Sequence, residues 1–280
     1  MAVSPPRHRP IMRDPVAEQA LSRQGYVVLP LLGAAAAAQL LAQLRQKVPV
    51  FPEGFYASVH TSDAHLRSAV SALLMDRFQS LIDQVCVDAT LLGGAFINKS
   101  PGPRGVLPPH QDWNIVDETS QRSFNVWLPL IDTDPANGAI QVVPGSHLWL
   151  STVRGPNVPC VYRQVHASLR KAMRLLPIRA GEVLVYDHRL LHCSDENRTP
   201  HARPGAVMGL VPAEAALKHY GPCDGGIAQY QSSVDQLISL QTRPSSGLLQ
   251  PEVVLTNQPA AVDETHLFRL MSGSGLTPHA

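Results

Sequence analysis

From Leu91 to Val211 the chain is cut into short apolar or β-branched runs, each ended by a glycine- or proline-rich turn. Leu91–Asn98, Ser123–Leu130, Ala139–Val143, Glu182–Asp187, Leu190–Cys193 and Ala206–Val211 read as strands, and Leu107–Asn114 as an extended segment between them. Ser100-Pro-Gly-Pro-Arg-Gly105, Asp132–Gly138 and Pro144-Gly145 supply the turns. Runs this short cannot bury themselves as helices, so they must pair with one another in a sandwich or barrel.

The first third is different. Pro15 opens a helix over Val16–Gln24 that Gly25 closes, and Tyr26–Leu29 follows as a short strand. Ala34–Lys47, with Leu40, Leu41 and Leu44 on one face, and a long segment from an Asp63 cap through Cys86 carry helical spacing. Leu148–Leu176 is mixed, with a helix near Ala167–Ala172, and Gln229–Gln241 is read as helical. The expected organisation is a flexible arm over residues 1–14, rich in Pro and Arg, and one domain over 15–280. Its β core spans about 90–215, braced by N-terminal helices, and 216–280 serves as a C-terminal cover with possible disorder at the end.

His110 and Asp112 stand two positions apart in an extended segment, so their side chains share one face. His192 ends the apolar pair Leu190-Leu191 far downstream. Two histidines and a carboxylate form the ligand set of non-haem Fe(II) oxygenases, with the opposite face of the metal left open. Alone, a His-x-Asp pair is equally a polar surface turn, and a histidine at a strand end is usually a satisfied core residue. The neighbourhood of His192 adds weight. Arg203, eleven positions on and followed by Pro204-Gly205, can stand on an adjacent strand and offer a guanidinium to a small carboxylate.

Composition removes several classes. Among 280 residues, 44% are apolar, enough for a sizeable core, and the net charge of +1 gives no electrostatic case for nucleic acid or an anionic membrane. No apolar run reaches membrane-spanning length, and the proline- and arginine-rich start does not read as a secretory signal. Cys86, Cys160, Cys193 and Cys223 are scattered without zinc-like spacing, which suits reduced thiols in a cytoplasm.

The segment from His192 to Arg203 presents His192, Ser194, Asn197, Thr199 and Arg203 in order. Upstream stand Ile97-Asn98-Lys99, His110-Gln111-Asp112, Trp127, Gly138 and Val143-Pro144-Gly145-Ser146-His147. In order and spacing these resemble the phytanoyl-CoA dioxygenase family of Fe(II)/2-oxoglutarate oxygenases, over roughly residues 20–215. The resemblance implies a double-stranded β-helix (jelly-roll, cupin-like) of two antiparallel sheets with the metal at its open end. It implies His110, Asp112 and His192 as iron ligands, Arg203 as the anchor of the 2-oxoglutarate C5 carboxylate, Ser194 as its helper, and Gln111 and Trp127 at the border of the cosubstrate. His147 and His188 are not at ligand positions. His147 is read as a structural cap after its turn and His188 as a neighbour of its strand.

The implied cofactors are Fe(II), 2-oxoglutarate and O2. The implied reaction is hydroxylation of an unactivated C–H bond of a small molecule, in secondary-metabolite biosynthesis, with succinate and CO2 as coproducts. Desaturation, epoxidation, ring formation and an acyl-thioester substrate stay open. Halogenation does not, because related halogenases lack the carboxylate that Asp112 supplies. Two rivals are a cupin-type metalloenzyme without 2-oxoglutarate, against which Arg203 and Ser194 count, and a non-catalytic binding protein, against which the intact triad counts. Tyr56, His60, Arg104, Trp113 and Asn114 are the candidate substrate residues, because they flank the ligands or sit in the aromatic loop Pro49–Asp63. No basic cluster suggests a CoA phosphate site. A small-molecule substrate is the expected partner, and nothing in the sequence assigns an oligomeric state.

Overall fold

The computed structural model describes residues 8–240, 250–256 and 260–273. Helix α1 (Pro15–Gln24) begins where the Asp14 carboxylate accepts from the Val16 and Ala17 amides, and ends at Gly25, whose φ of 83° suits a residue without Cβ. Strand β1 (Tyr26–Leu29), α2 (Ala34–Lys47), β2 (Phe55–Ala57) and α3 (Ala64–Val85) complete the N-terminal third. The core continues through β3 (Ala89–Lys99), β4 (Leu107–His110), β5 (Phe124–Pro129), β6 (Ile140–Val142), α4 (His166–Ala172), β7 (Arg174–Leu175), β8 (Val183–Asp187), β9 (His192–Ser194) and β10 (Arg203–Pro212). After it come β11 (Lys218–Cys223), β12 (Gly226–Gln231), α5 (Val234–Leu240), β13 (Val253–Leu255) and α6 (Glu264–Gly273).

Two antiparallel sheets carry the core: six strands in the order β1-β8-β5-β10-β3-β2, and four in the order β4-β9-β6-β7. This is the jelly-roll expected from the sequence, braced as expected by the early helices. Alternation along the strands sorts the side chains. Phe124, Val126 and Leu128 of β5, with Ala206, Met208 and Leu210 of β10, pack outward against Leu44, Leu74, Phe78 and Ile82 of α2 and α3. Burying each large side chain of that layer contributes roughly 1.5–3 kcal/mol. Asn125, Trp127, Val207 and Gly209, the residues between, face an internal cavity.

Two segments differ from the sequence reading. Residues 1–7 of the expected arm lie outside the described residues, but from Arg9 the chain is docked. The Arg9 guanidinium bonds both Glu214 oxygens and the Val87 and Asp88 carbonyls, Met12 bridges to Cys86, and Ile11 and Met12 are buried. Two apolar residues set among prolines and arginines are enough to seat the segment. Downstream, the expected helix over Gln229–Gln241 is split. Gly226–Gln231 pairs between β11 and β13, a helix holds only Val234–Leu240, and Gln241 lies outside the described residues. The C-terminal cover also contributes to the interior, since Leu267 and Met271 of α6 pack with Tyr162, Val165 and Leu169.

Glu18 fastens the docked segment. Its carboxylate accepts from the Ile11 and Met12 amides at 2.8 and 3.0 Å and pairs with Arg122 at 2.7 Å. Burial pushes this carboxyl up, but the Met12 amide, the Arg122 guanidinium and the Ile11 amide outweigh it, so the net shift is downward. A lowered carboxyl stabilises the fold above its ordinary value, and that contribution is lost as pH falls through the folded-state value. Glu18→Gln is therefore expected to cost on the order of 2 kcal/mol at neutral pH, read from urea midpoints. The gap to wild type should close in acid; a gap independent of pH would contradict this role.

Candidate metal centre

Strands β4 and β9 pair so that His110 lies opposite His192, with ring centroids 4.2 Å apart. Asp112 follows β4, its Oδ1 3.9 Å from His110 Nε2 and its Oδ2 3.8 Å from His192 Nε2. One ligand atom from each residue lies within 4.8 Å of the others, close enough for a single ion to take all three. Both histidines are oriented by the backbone. His110 Nδ1 donates to the Pro108 carbonyl at 2.7 Å and His192 Nδ1 to the Leu190 carbonyl at 2.9 Å. That pattern places the proton on Nδ1 and leaves each Nε2 lone pair free for a metal. Burial, and then the neighbouring His192, push His110 down to about 4, so it is a neutral ligand near pH 7. Burial pushes Asp112 up, but the imidazoles of His192, His188 and His110 and the Asn125 amide outweigh it and hold the carboxyl at about 2.

The loop carrying Asp112 is held from behind. The Asp112 amide donates to the His188 carbonyl at 2.9 Å, and Arg154 Nε donates to the Asp112 carbonyl at 2.6 Å. Arg154 is itself paired with buried Glu118, and its amide donates to Asn114 Oδ1. On the other side, the buried pair of Asp187 and Arg189 sets the turn between β8 and β9, from which His192 emerges.

Further along the cavity, Arg203 opens β10 and is only 4% exposed. Its guanidinium lies 5.5 Å from the Trp127 ring centroid. Burial pushes it down to about 10, which leaves it charged at neutral pH. Arg203 Nε and Ser194 Oγ are buried with no hydrogen-bond partner, and both residues line the cavity, whose volume is about 420 Å³. Buried donors without partners are rare in folded proteins. Two of them at one end of a cavity fit a carboxylate. The donor set therefore matches 2-oxoglutarate, as the triad matches iron. Fully buried Lys99, opposite Arg203 in the sheet, donates to the Ser194 carbonyl at 3.2 Å and to the Asp195 carbonyl, and so holds the strand that carries Ser194.

The structure thus brings His110, Asp112, His192, Ser194, Trp127 and Arg203 around one space. Gln111 also lines it, but its amide is occupied, donating to the Arg189 carbonyl and accepting from Thr152. Of the candidate substrate residues, Trp113 and His60 line the cavity. Three others do not. Tyr56 sits between Phe55 and Ala57, which face the cavity, so alternation turns it outward against Phe51. Arg104 is exposed and paired with Glu53. Asn114 is buried and spent on Arg154. His147 is tied to the Ser22 carbonyl at 3.1 Å, a structural tether, whereas His188 lies on the cavity wall.

Sequence reasoning missed Asn125 and Tyr186. Asn125 Nδ2 donates to Asp112 Oδ2 at 2.7 Å and lies 3.3 Å from the Tyr186 hydroxyl, and the Tyr186 ring lies 4.9 Å from that of His192. A signal existed, because Asn125 is the polar residue of an apolar strand, two positions from Trp127 and on the same face.

The model of the family "Phytanoyl-CoA dioxygenase (PhyH)" matches residues 21–205. A phytanoyl-CoA dioxygenase of Arabidopsis thaliana is 28% identical over 122 residues, 42% of this chain and 43% of that protein. An ectoine dioxygenase of Nocardia farcinica is 28% identical over 180 residues, 54% of this chain and 58% of its own length. The chain thus spans less than two thirds of the length of these relatives. Among solved structures, the epimerase SnoN, in complex with Fe3+, alpha-ketoglutarate and nogalamycin RO, superposes with a TM-score of 0.53 at 18% identity, over 89% of this chain and 94% of SnoN. HygX from Streptomyces hygroscopicus with iron bound gives 0.51 at 15% identity, over 72% and 87%. These likenesses establish the shared fold.

Proposed function

This chain belongs to the phytanoyl-CoA dioxygenase family, and on that premise we propose that it is an Fe(II)- and 2-oxoglutarate-dependent dioxygenase hydroxylating a C–H bond of a small molecule. The observation that carries the reading is the pair of unpartnered donors, Arg203 Nε and Ser194 Oγ, in the same cavity as the His110–Asp112–His192 cluster. A cupin-type metal site without a dicarboxylate cosubstrate would have no use for them.

His110, Asp112 and His192 would hold iron, and Arg203 with Ser194 would hold the far carboxylate of 2-oxoglutarate against Trp127. When bound, iron and 2-oxoglutarate supply the oxidising equivalents from O2, and succinate and CO2 leave. The chain's own contribution is placement. Asn125 keeps Asp112 turned toward the histidines, and the apolar walls keep water from the reacting carbon. A small-molecule substrate of secondary metabolism fits a cavity of this size, and the SnoN neighbour was solved in complex with nogalamycin RO. Four free cysteines suit action in a reducing cytoplasm.

The test is direct. Anaerobic protein given Fe(II) should develop a metal-to-ligand charge-transfer band on addition of 2-oxoglutarate, and admitting O2 should release succinate. With the right substrate, the product should gain one oxygen atom drawn from isotopically labelled O2. No band and no succinate would overturn the reading in favour of a binding protein. Turnover without 2-oxoglutarate would favour a cupin-type enzyme, and an oxidised product without the label would favour desaturation or ring closure.

A further inference from the structure

The strand register orders the cavity along its length. On β10, Arg203 lies opposite Lys99, Val207 opposite Trp127, and Gly209 opposite Asn125. At the rise of a β-strand, Arg203 and Gly209 are about 20 Å apart. A five-carbon dicarboxylate held by Arg203 covers only the near part of that distance. Beyond the triad the wall is formed by Leu92, Gly93, Ile115, Gly209 and Leu237. Two of these five residues carry no side chain, so a flat, broad ligand can lie against the sheet.

This far chamber has no charge to spare. Among the described residues that line the whole cavity, Arg203 is the only lysine or arginine and Asp112 the only carboxylate. Iron takes Asp112 and 2-oxoglutarate takes Arg203. A phosphate, a carboxylate or an ammonium on the substrate would be desolvated there without a partner, which disfavours binding. Apart from Arg203 Nε and Ser194 Oγ, one buried polar atom of the cavity wall is left without a partner among the described residues. His188 is 4% exposed and lines the cavity; its Nδ1 bonds Ser123 Oγ at 2.9 Å, and its Nε2 is buried with no partner. A hydroxyl satisfies that nitrogen in either tautomer, because it can give or accept the bond.

Resting on the oxygenase reading above, we propose that the far chamber takes an uncharged, predominantly apolar, flat molecule bearing one hydroxyl, with His188 Nε2 as the residue that recognises it. The selected substrates are hydroxylated ring systems rather than amino acids, phosphates or CoA thioesters.

Calorimetric titration of the Fe(II)- and 2-oxoglutarate-loaded protein under argon, with 2-naphthol and with naphthalene as probes, tests this. 2-Naphthol should bind about tenfold more tightly than naphthalene, the effect of one neutral hydrogen bond in a dry site. His188→Phe should remove that preference and leave 2-oxoglutarate affinity as it was. Ile115→Trp, with a thermal melt matching wild type, should weaken both probes about tenfold or more, again with 2-oxoglutarate unaffected. Coenzyme A should displace neither probe. Equal affinity for the two probes, a preference surviving His188→Phe, or displacement by coenzyme A would each overturn the inference. Wild-type protein that binds neither iron nor 2-oxoglutarate would instead overturn the oxygenase reading, and this one through it. Protein that binds both yet shows no naphthol preference overturns this inference alone.

Discussion

His192→Ala should reduce iron- and 2-oxoglutarate-dependent succinate release to background and leave the protein folded. His192 Nε2 is one of three candidate metal ligands, and the removed ring cannot be replaced by a neighbour. Asn125 and Gln111 are occupied, and His188 is fixed by its Nδ1 bond to Ser123. Two ligands would remain, and the Fe(II) isotherm should flatten accordingly. The fold loses one hydrogen bond, from Nδ1 to the Leu190 carbonyl, at a cost of roughly 1 kcal/mol, plus a small void in a region already hollow. Strand β9 keeps its pairing with β4 and β6. Fe(II) calorimetry and a thermal melt on the same sample decide the matter. Retained succinate release would remove His192 from the ligand set; a collapsed melt would show it to be mainly a core residue.

Arg203→Lys should raise the apparent KM for 2-oxoglutarate by about ten- to a hundredfold, and Arg203→Ala should raise it further. A guanidinium gives two parallel bonds to a carboxylate and stacks on an aromatic ring, whereas an ammonium is a point charge on a flexible stem. Each charge-assisted bond is worth roughly 1.5–3 kcal/mol, and Arg203 itself is buried. Iron binding should not change, because no ligand is touched. The competing role, a surface pair with Asp195 or Glu196, does not match the packing. Asp195 is engaged by Arg170 and by Gln141, and Arg203 is buried over Trp127. Titrating 2-oxoglutarate into the anaerobic Fe(II) protein and following the charge-transfer band is the measurement. Equal affinity in wild type and Arg203→Ala would sink the assignment.

The residues around this space were legible in the sequence where their chemistry is local. His110 and Asp112 share a face because strands alternate, and Arg203 opens a strand that an apolar run announces. The early helices were legible from Pro15 and Gly25 at the ends of the first, from the Asp63 cap and from stripes such as Leu40–Leu44. What escaped depends on pairing between distant strands. Tyr56 and Asn114 carry suitable chemistry beside the right neighbours, yet one faces the helices and the other is consumed by Arg154. Asn125 gains its role only because β8 places Tyr186 opposite it. The region after Gly221 misled because Gly226–Gln231 is a strand only by virtue of β11 and β13. No local propensity separates it from the helical run that follows.

The pairing of strands in the two core sheets also says something about time. Tyr26 pairs with Tyr186, His110 with His192, and Lys99 with Arg203. Partners so far apart along the chain close slowly, because the entropy of a long loop must be overcome before any contact forms. A ribosome-bound chain ending just short of Arg203 already contains all three members of the triad. It has no β10, and so no central strand on which β3 and β5 can meet. Until β10 emerges, the triad therefore lacks the continuous sheet that walls its cavity in the finished protein. The edges of β3 and β5 that β10 will cover, each strand having its other partner in β2 or β8, are then the ones most in need of a chaperone while the ribosome is still at work.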